Sequence, residues 1–320
     1  MPTKHACVRA LLAALLVGAL PSFATAAELL RVGKSVPEAF SFVPLDVGMR
    51  VGLFRKYGVE IETSALAGGA KLQQALAADS LDIGLGSGPE MSAIQKGSPV
   101  KAVAAMAGAP RLLALLVRPD GPVKSVADLK GRKVAVTTVN SLTAWLVSEL
   151  SRQQGWGPNG IDVVPLGATP GQFAALKTHQ IDGLVADIAT LLQAEANGNG
   201  KVLFRFGDLV KDFHIHVIFA TDKLMAQRPD AVRAFLEAWF ETIAFMRADK
   251  ARTVEIAKDI IGVDPAIAAR TYDELMPMFS ADGKFDPKAL AVLSRSYVDL
   301  KILPSEPDMS KFYTEEFLPN

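Results

Sequence analysis

Gly68-Gly69-Ala70, Ala75-Leu76, Leu81-Asp82-Ile83-Gly84-Leu85 and Gly86-Ser87-Gly88 make up a segment that returns 100 positions later. The second copy is Ala168-Thr169-Pro170, Ala175-Leu176, Ile181-Asp182-Gly183-Leu184-Val185 and Ala186-Asp187-Ile188. Each copy reads as a small-residue loop, a helix, a short turn, an apolar strand and a second small or polar loop. Such a duplication predicts two similar α/β lobes. Sheets of this kind take ligands at the carboxyl ends of their strands, where loops and helix N-termini meet. Matching loops in two lobes therefore predict a cleft lined by both copies.

The 320 residues allow two domains of ordinary size. Half of the chain is apolar and 21% is charged, a globular composition with material for a core in each lobe. Residues 1–26 read as a signal peptide. Lys4 and Arg9 form a positive start, Ala10 to Leu20 is an uncharged run too short to span a bilayer, and Ala24-Thr25-Ala26 fits the small-x-small cleavage pattern. Cleavage after Ala26 removes two of the 34 basic residues and none of the 34 acidic ones, leaving a net charge of −2. That balance points to neither nucleic acid nor an anionic membrane surface as a partner. The one cysteine, Cys7, leaves with the signal, so the mature chain has no disulfide and no thiolate chemistry. The expectation is an exported, soluble periplasmic protein.

Along the mature chain, 29–33, 59–62, 100–106 and 112–117 read as strands, with a helix through Leu45, Val47, Met49 and Leu53. Arg118-Pro119-Asp120-Gly121-Pro122 is a strong break. After it come a short capped helix at 125–129, a strand at 134–136, a helix over 141–154 and a strand at 161–164. A strand at 214–220 reads as the return crossing, and helices fill the rest. Val232, Phe235, Leu236, Trp239, Phe240 and Ile243 share one helix face and are assigned to the core. The lobe assignment is 27–117 and 216–320 for the first lobe and 118–215 for the second.

Gly86-Ser87-Gly88 lacks the glycines of a nucleophile elbow, whose places are taken by Leu85 and Pro89. Gly84, Gly86 and Gly88 do not complete a dinucleotide fingerprint, and no complete Gly-x-x-x-x-Gly-Lys-Ser/Thr phosphate-binding loop occurs. His214 and His216 lie two apart on an expected strand, but no acid or cysteine cluster completes a metal site. His214 is carried forward as bordering the cleft. Ser87, Glu90, Thr138, Asn140, Ser141, Thr169 and Asp187 each follow a strand or start a helix. Two compatible readings stand for them, helix caps and ligand contacts. Arg111 reads as a surface arginine or as a two-bond clamp for a carboxylate or sulfonate. Phe40 and Phe42 read as ring-stacking residues or as core.

The chain also carries a resemblance. Pro44-Leu45, Gly52 to Ile61, Gly68-Gly69, Gln74-Ala75-Leu76, Leu81 to Gly84, Ser125 to Val136 and Pro229-Asp230-Ala231-Val232 resemble, in that order, the solute-binding proteins of nitrate/sulfonate/taurine-type ABC importers. The resemblance implies an α/β, two-lobed type II periplasmic-binding-protein fold with a two-strand hinge and a helical C-terminal extension. It implies a monomer without cofactor, metal or catalysis that delivers a small solute to a membrane permease and its ATPase. By position it places ligand loops at 36–42, 68–70, 87–90, 138–141, 168–170 and Asp187, and so includes Gly69. Asp187-Ile188-Ala189-Thr190 departs from the proline and aromatic that many relatives carry there. The expected solute is a sulfonate, a carboxylate or an aromatic or heterocyclic compound. Two alternatives remain open: an enzyme resembling thiamine pyrimidine-precursor synthases, which use a cysteine-rich motif, and a sensing subunit of a membrane receptor.

Overall fold

The computed structural model describes residues 27–319; the signal-peptide reading lies outside them. Strand β1 (Glu28–Lys34) is followed by a 3-10 turn at Phe40–Phe42 and helices α1 (Val43–Val51) and α2 (Leu53–Lys56). Then come β2 (Val59–Ala65), α3 (Gly69–Ala77), β3 (Ile83–Ser87), α4 (Ser92–Gln95), β4 (Val100–Ala107) and β5 (Leu113–Val117). The middle of the chain forms β6 (Lys133–Val136), α5 (Leu142–Gln153), β7 (Asp162–Pro165), α6 (Thr169–Lys177), β8 (Gly183–Asp187), α7 (Ile188–Ala196) and β9 (Lys201–Arg205). After β10 (His216–Thr221) the chain is helical: α8 (Asp222–Gln227), α9 (Pro229–Ala248), α10 (Lys250–Ile261), α11 (Pro265–Leu275) and α12 (Pro287–Asp299).

The repeat keeps its register in space. α3 and α6 begin at residues 69 and 169, and β3 and β8 span 83–87 and 183–187. Each belongs to a five-stranded sheet, ordered β2-β1-β3-β10-β4 and β7-β6-β8-β5-β9. Within each sheet the first three strands are parallel, and the fourth runs antiparallel to its neighbours. β3, β5, β8 and β10 are buried along their whole length, which explains their apolar or small-residue character apart from the terminal Asp187 and His216. The stripe on α9 is core as expected, with Val232, Phe235, Leu236, Trp239 and Ile243 buried.

One expectation is corrected by the pairing. The sequence reading puts Leu112–Val117 in the first lobe, yet β5 pairs with β8 and β9 in the second sheet. β10, expected in the hinge, lies inside the first sheet between β3 and β4. The antiparallel strand of each sheet is thus the first strand formed after the chain has changed lobes. The crossings are the stretches between β4 and β5 and between β9 and β10. The Arg118–Pro122 break is a turn within the second lobe, since proline and glycine there stop a strand without marking a change of sheet. β9 has no counterpart in the sequence reading; Lys201-Val202-Leu203-Phe204-Arg205 is a half-exposed edge strand with little alternation.

Candidate functional site

The parallel strands of both sheets end facing one another, and their ends enclose a cavity. Ser35 follows β1 and Thr137 follows β6; Ser87 closes β3 and Asp187 closes β8; Gly69 starts α3 and Thr169 starts α6. The antiparallel strands add one residue each. His216 is paired with Ser87 and Leu113 with Asp187. Each lobe therefore presents the same set of positions, with different side chains. Glu90, Glu38, Ser141, Thr143 and apolar Val36, Ala39, Leu112, Leu142, Val185 and Ala186 complete the lining. The cavity volume is ≈ 50 Å³, room for about four water-sized groups.

On the first lobe, the Glu90 carboxyl accepts hydrogen bonds from the Ser87 hydroxyl at 2.8 Å and the Ser87 N–H at 3.3 Å. It lies across two glycines, and a Cβ on Gly69 would overlap its Oε1. Glycine at 69 is thus a requirement of close approach. On the second lobe, hydroxyls form a wall. Thr143 Oγ1 lies 3.2 Å from Thr137 Oγ1 and 3.0 Å from Ser141 Oγ, and accepts the Thr137 N–H at 3.0 Å. Asp187 joins the lobes. Its Oδ1 accepts the Ala189 N–H at 2.9 Å, capping α7, and its Oδ2 accepts the Phe40 N–H of the first lobe at 3.0 Å.

Burial controls the charges. It pushes the Glu90 carboxyl up to about 7, against the stabilising Ser87 donors. It pushes Asp187 up to about 7 as well, against the Phe40 and Ala189 N–H groups and with added repulsion from Glu38. It drives His216 down to about 3, so that ring is neutral. The lining contains no lysine or arginine.

Six of the residues expected to bind ligand line this cavity: Gly69, Ser87, Glu90, Ser141, Thr169 and Asp187. Helix capping and a place on the cavity lining coexist. Ser141 caps α5 through Ala144 and Asp187 caps α7, whereas Thr169 lines the cavity without capping α6. The other six lie elsewhere. Phe40 and Phe42 are core: Phe40 packs on Phe279, and the Phe42 ring stands edge-on behind His216 at 4.7 Å. Thr138 sits at the rim, where its Oγ1 accepts the Ala70 N–H at 3.4 Å across the lobes. Asn140 is exposed with φ 59°, a left-handed turn conformation that asparagine tolerates. Arg111 is exposed on an outer groove beside Arg205, Asp208 and Glu274. His214 is replaced by His216. β10 begins only at 216, so the two do not share a strand face; His214 Nε2 accepts the Asp286 N–H at 2.9 Å and its ring meets Phe285. Ser35, Thr137 and Thr143 escape the sequence reading. The strand-end rule finds Ser35 when extended to β1, and Thr137 when extended to β6.

Residues 39–252 match the NMT1/THI5-like family. The chain belongs to that family. A putative ABC transporter periplasmic binding protein of Brachyspira hyodysenteriae is 24% identical over 221 residues, 65% of this chain and 62% of that relative. The match thus spans less than two thirds of the relative's length. Among solved structures, the alkanesulfonate-binding protein SsuA from Xanthomonas axonopodis pv. citri bound to MOPS superposes with a TM-score of 0.78 at 18% identity, covering 90% of this chain and 99% of that one. A cysteine-to-serine mutant of the desulfurization enzyme DSZB, in complex with biphenyl-2-sulfinic acid, superposes with a TM-score of 0.65 at 16% identity, covering 91% and 97%. The fold is the type II periplasmic-binding-protein fold expected from the sequence.

Proposed function

We propose that this chain is the solute-binding protein of an ABC importer. It captures a small organic solute between its lobes in the periplasm and presents the closed form to a permease and its ATPase. The observation that carries this reading is the cavity built from equivalent positions of the two repeats, Gly69 and Ser87 against Thr169 and Asp187. A site divided between two lobes couples occupancy to closure, which is what a permease can sense. The periplasmic binding-protein relative supports the reading. Among the described residues no helix is long and apolar enough to cross a membrane.

DSZB shares the fold, so the fold by itself does not separate binding from catalysis. The lining favours binding. Ser87 bonds to Glu90 and Thr137, Ser141 and Thr143 to one another, and among the described residues no lining serine or threonine is hydrogen-bonded to a histidine as a base. The cavity lining also holds no cysteine.

Calorimetry on single-lobe variants tests the proposal. Ser87→Ala and Thr169→Ala are each expected to weaken solute binding by about 0.5–1.5 kcal/mol, more for a charged ligand group, while the fold persists. Unchanged affinity in both variants would place the solute outside this cavity.

A further inference from the structure

The cavity is lined by three carboxyl side chains, those of Glu38, Glu90 and Asp187, and by no cationic side chain. The strand-end lysine, Lys34, is paired with Asp46 at 3.0 Å and does not line it. His216, 4% exposed, lines the cavity with its Nδ1 lacking any hydrogen-bond partner among the described residues. At three helix N-termini beside the cavity one N–H is already taken by a side chain. The Ala144 N–H of α5 bonds to Ser141, the Ala189 N–H of α7 to Asp187, and the Ala70 N–H of α3 to Thr138. At α6 the second position is Pro170, which has no N–H. An anionic solute would thus meet buried acids with no cationic side chain to offset them, a costly arrangement.

We propose that the solute bound between Glu90 and Asp187 is a small organic cation bearing N–H donors, an amine or amidine, rather than a sulfonate. The assignment rests on the solute-binding reading above and specifies its ligand. Each carboxyl comes from a different lobe, so a cation held by both draws the lobes together. Donation to these acids satisfies carboxyl oxygens that the protein leaves with spare acceptor capacity. A metal ion is a poor occupant, because among the described residues no three His, Cys, Asp or Glu side chains converge as ligands. At ≈ 50 Å³ the cavity suits a compound of few heavy atoms; an apolar cavity of about 150 Å³ is what holds benzene. Burial that raises both carboxyls works in the same direction. A cation restores their ionised forms, so binding near neutral pH releases protons.

Matched series of small compounds decide the matter. Ethylamine, ethanolamine, acetamidine and methylguanidine are compared with ethanesulfonate, propionate and propionamide by thermal shift and calorimetry on the mature chain. At least one cation is expected to bind, and the matched anions are not. Glu90→Gln and Asp187→Asn should each weaken that cation at least about tenfold, the scale of a lost charge-assisted bond. Binding should also release protons in buffers of different ionisation heat. Binding of an anion or the amide, with no cation bound, overturns the cation assignment. If Thr169→Ala weakens that other ligand, the solute cavity itself stands. Failure of every cation overturns the assignment too. Cation binding untouched by Glu90→Gln, Asp187→Asn and Thr169→Ala alike would overturn both the assignment and the cavity.

Discussion

Glu90 is a carboxyl held over two glycine backbones, with donors only from Ser87 and no cation among the cavity residues. Its cost to the fold depends on pH in a definite direction. Its folded value is about 7 against 4.5. A raised value means the stabilising contribution is complete below about 4.5 and is lost as pH rises to about 7. Asp187 behaves alike, between 3.8 and about 7. His216 opposes them: its value falls from 6.5 to about 3, so its contribution is complete above 6.5 and is lost as pH falls. The whole protein therefore mixes opposing slopes, and a substitution isolates one. Glu90→Gln is expected to be more stable than the parent near pH 8, by on the order of 1–3 kcal/mol, with the gain vanishing near pH 4. Denaturant melts across that range check it; a variant less stable at both ends would mean the carboxylate is better solvated than its burial implies. The same substitution is expected to impair solute binding; a stability gain together with lost binding would mark a group kept for binding at the expense of stability. Most of the acid pair is legible in the sequence, since Glu90 and Asp187 both follow strands. His216 is not singled out, because the sequence reading starts the strand at 214 and carries His214 forward, whereas pairing begins at His216, opposite Ser87.

At the scale of elements, the repeat is the most legible feature. Small residues at 68–70 and 168–170 and an apolar strand after each helix define α3-β3 and α6-β8 without any tertiary information. The two helix starts nevertheless serve different ends, as two glycines show. Gly69 opens α3 beneath the Glu90 carboxyl, and a Cβ there would displace that group. Gly171 lies exposed in α6, where a Cβ would meet nothing nearer than the Leu166 carbonyl oxygen at 3.4 Å. Gly171→Ala is therefore expected to stabilise the protein by up to about 1 kcal/mol through helix propensity, with solute affinity unchanged. Gly69→Ala gains the same propensity but forces Glu90 to move, so affinity should fall with little or no stability gain. Paired melts and titrations of the two variants check this. Equal behaviour would show that Glu90 moves aside freely and that the glycine is there for the helix alone.

The whole molecule is where sequence and structure part most. Apolar strands punctuated by proline and glycine look alike whichever sheet they join, so the membership of β5 in the second lobe is not legible. Nor are the contacts that span the cleft, because they depend on folded geometry. Besides the Asp187–Phe40 bond, Arg205 of β9 pairs with Glu274 of α11 at 2.8 Å, and Gln193 of α7 bonds to Asp264 before α11 at 3.0 Å. Trp145 of α5 donates to Ser296 of α12 at 2.9 Å and packs on Phe213 of the return crossing at 4.5 Å. The C-terminal helices thus brace the second lobe in addition to the two crossings. Opening must break or bend these contacts, and only a ligand that binds the closed form more tightly can shift the balance toward it. Asp187→Ala removes the bond to Phe40 at the cavity itself and leaves that N–H unpaired, which favours the open form. By solution scattering, the parent is expected to contract on addition of a solute confirmed by calorimetry. Ligand-free Asp187→Ala is expected to be at least as expanded as the ligand-free parent. Trp145, buried against Ser296 and Phe213, should report the same transition in its fluorescence, and Ser296→Ala should alter that signal without abolishing solute binding. A parent whose radius of gyration is the same empty and saturated would mean a rigid, preformed cavity. On the importer reading, recognition of the loaded protein would then have to rest on something other than shape.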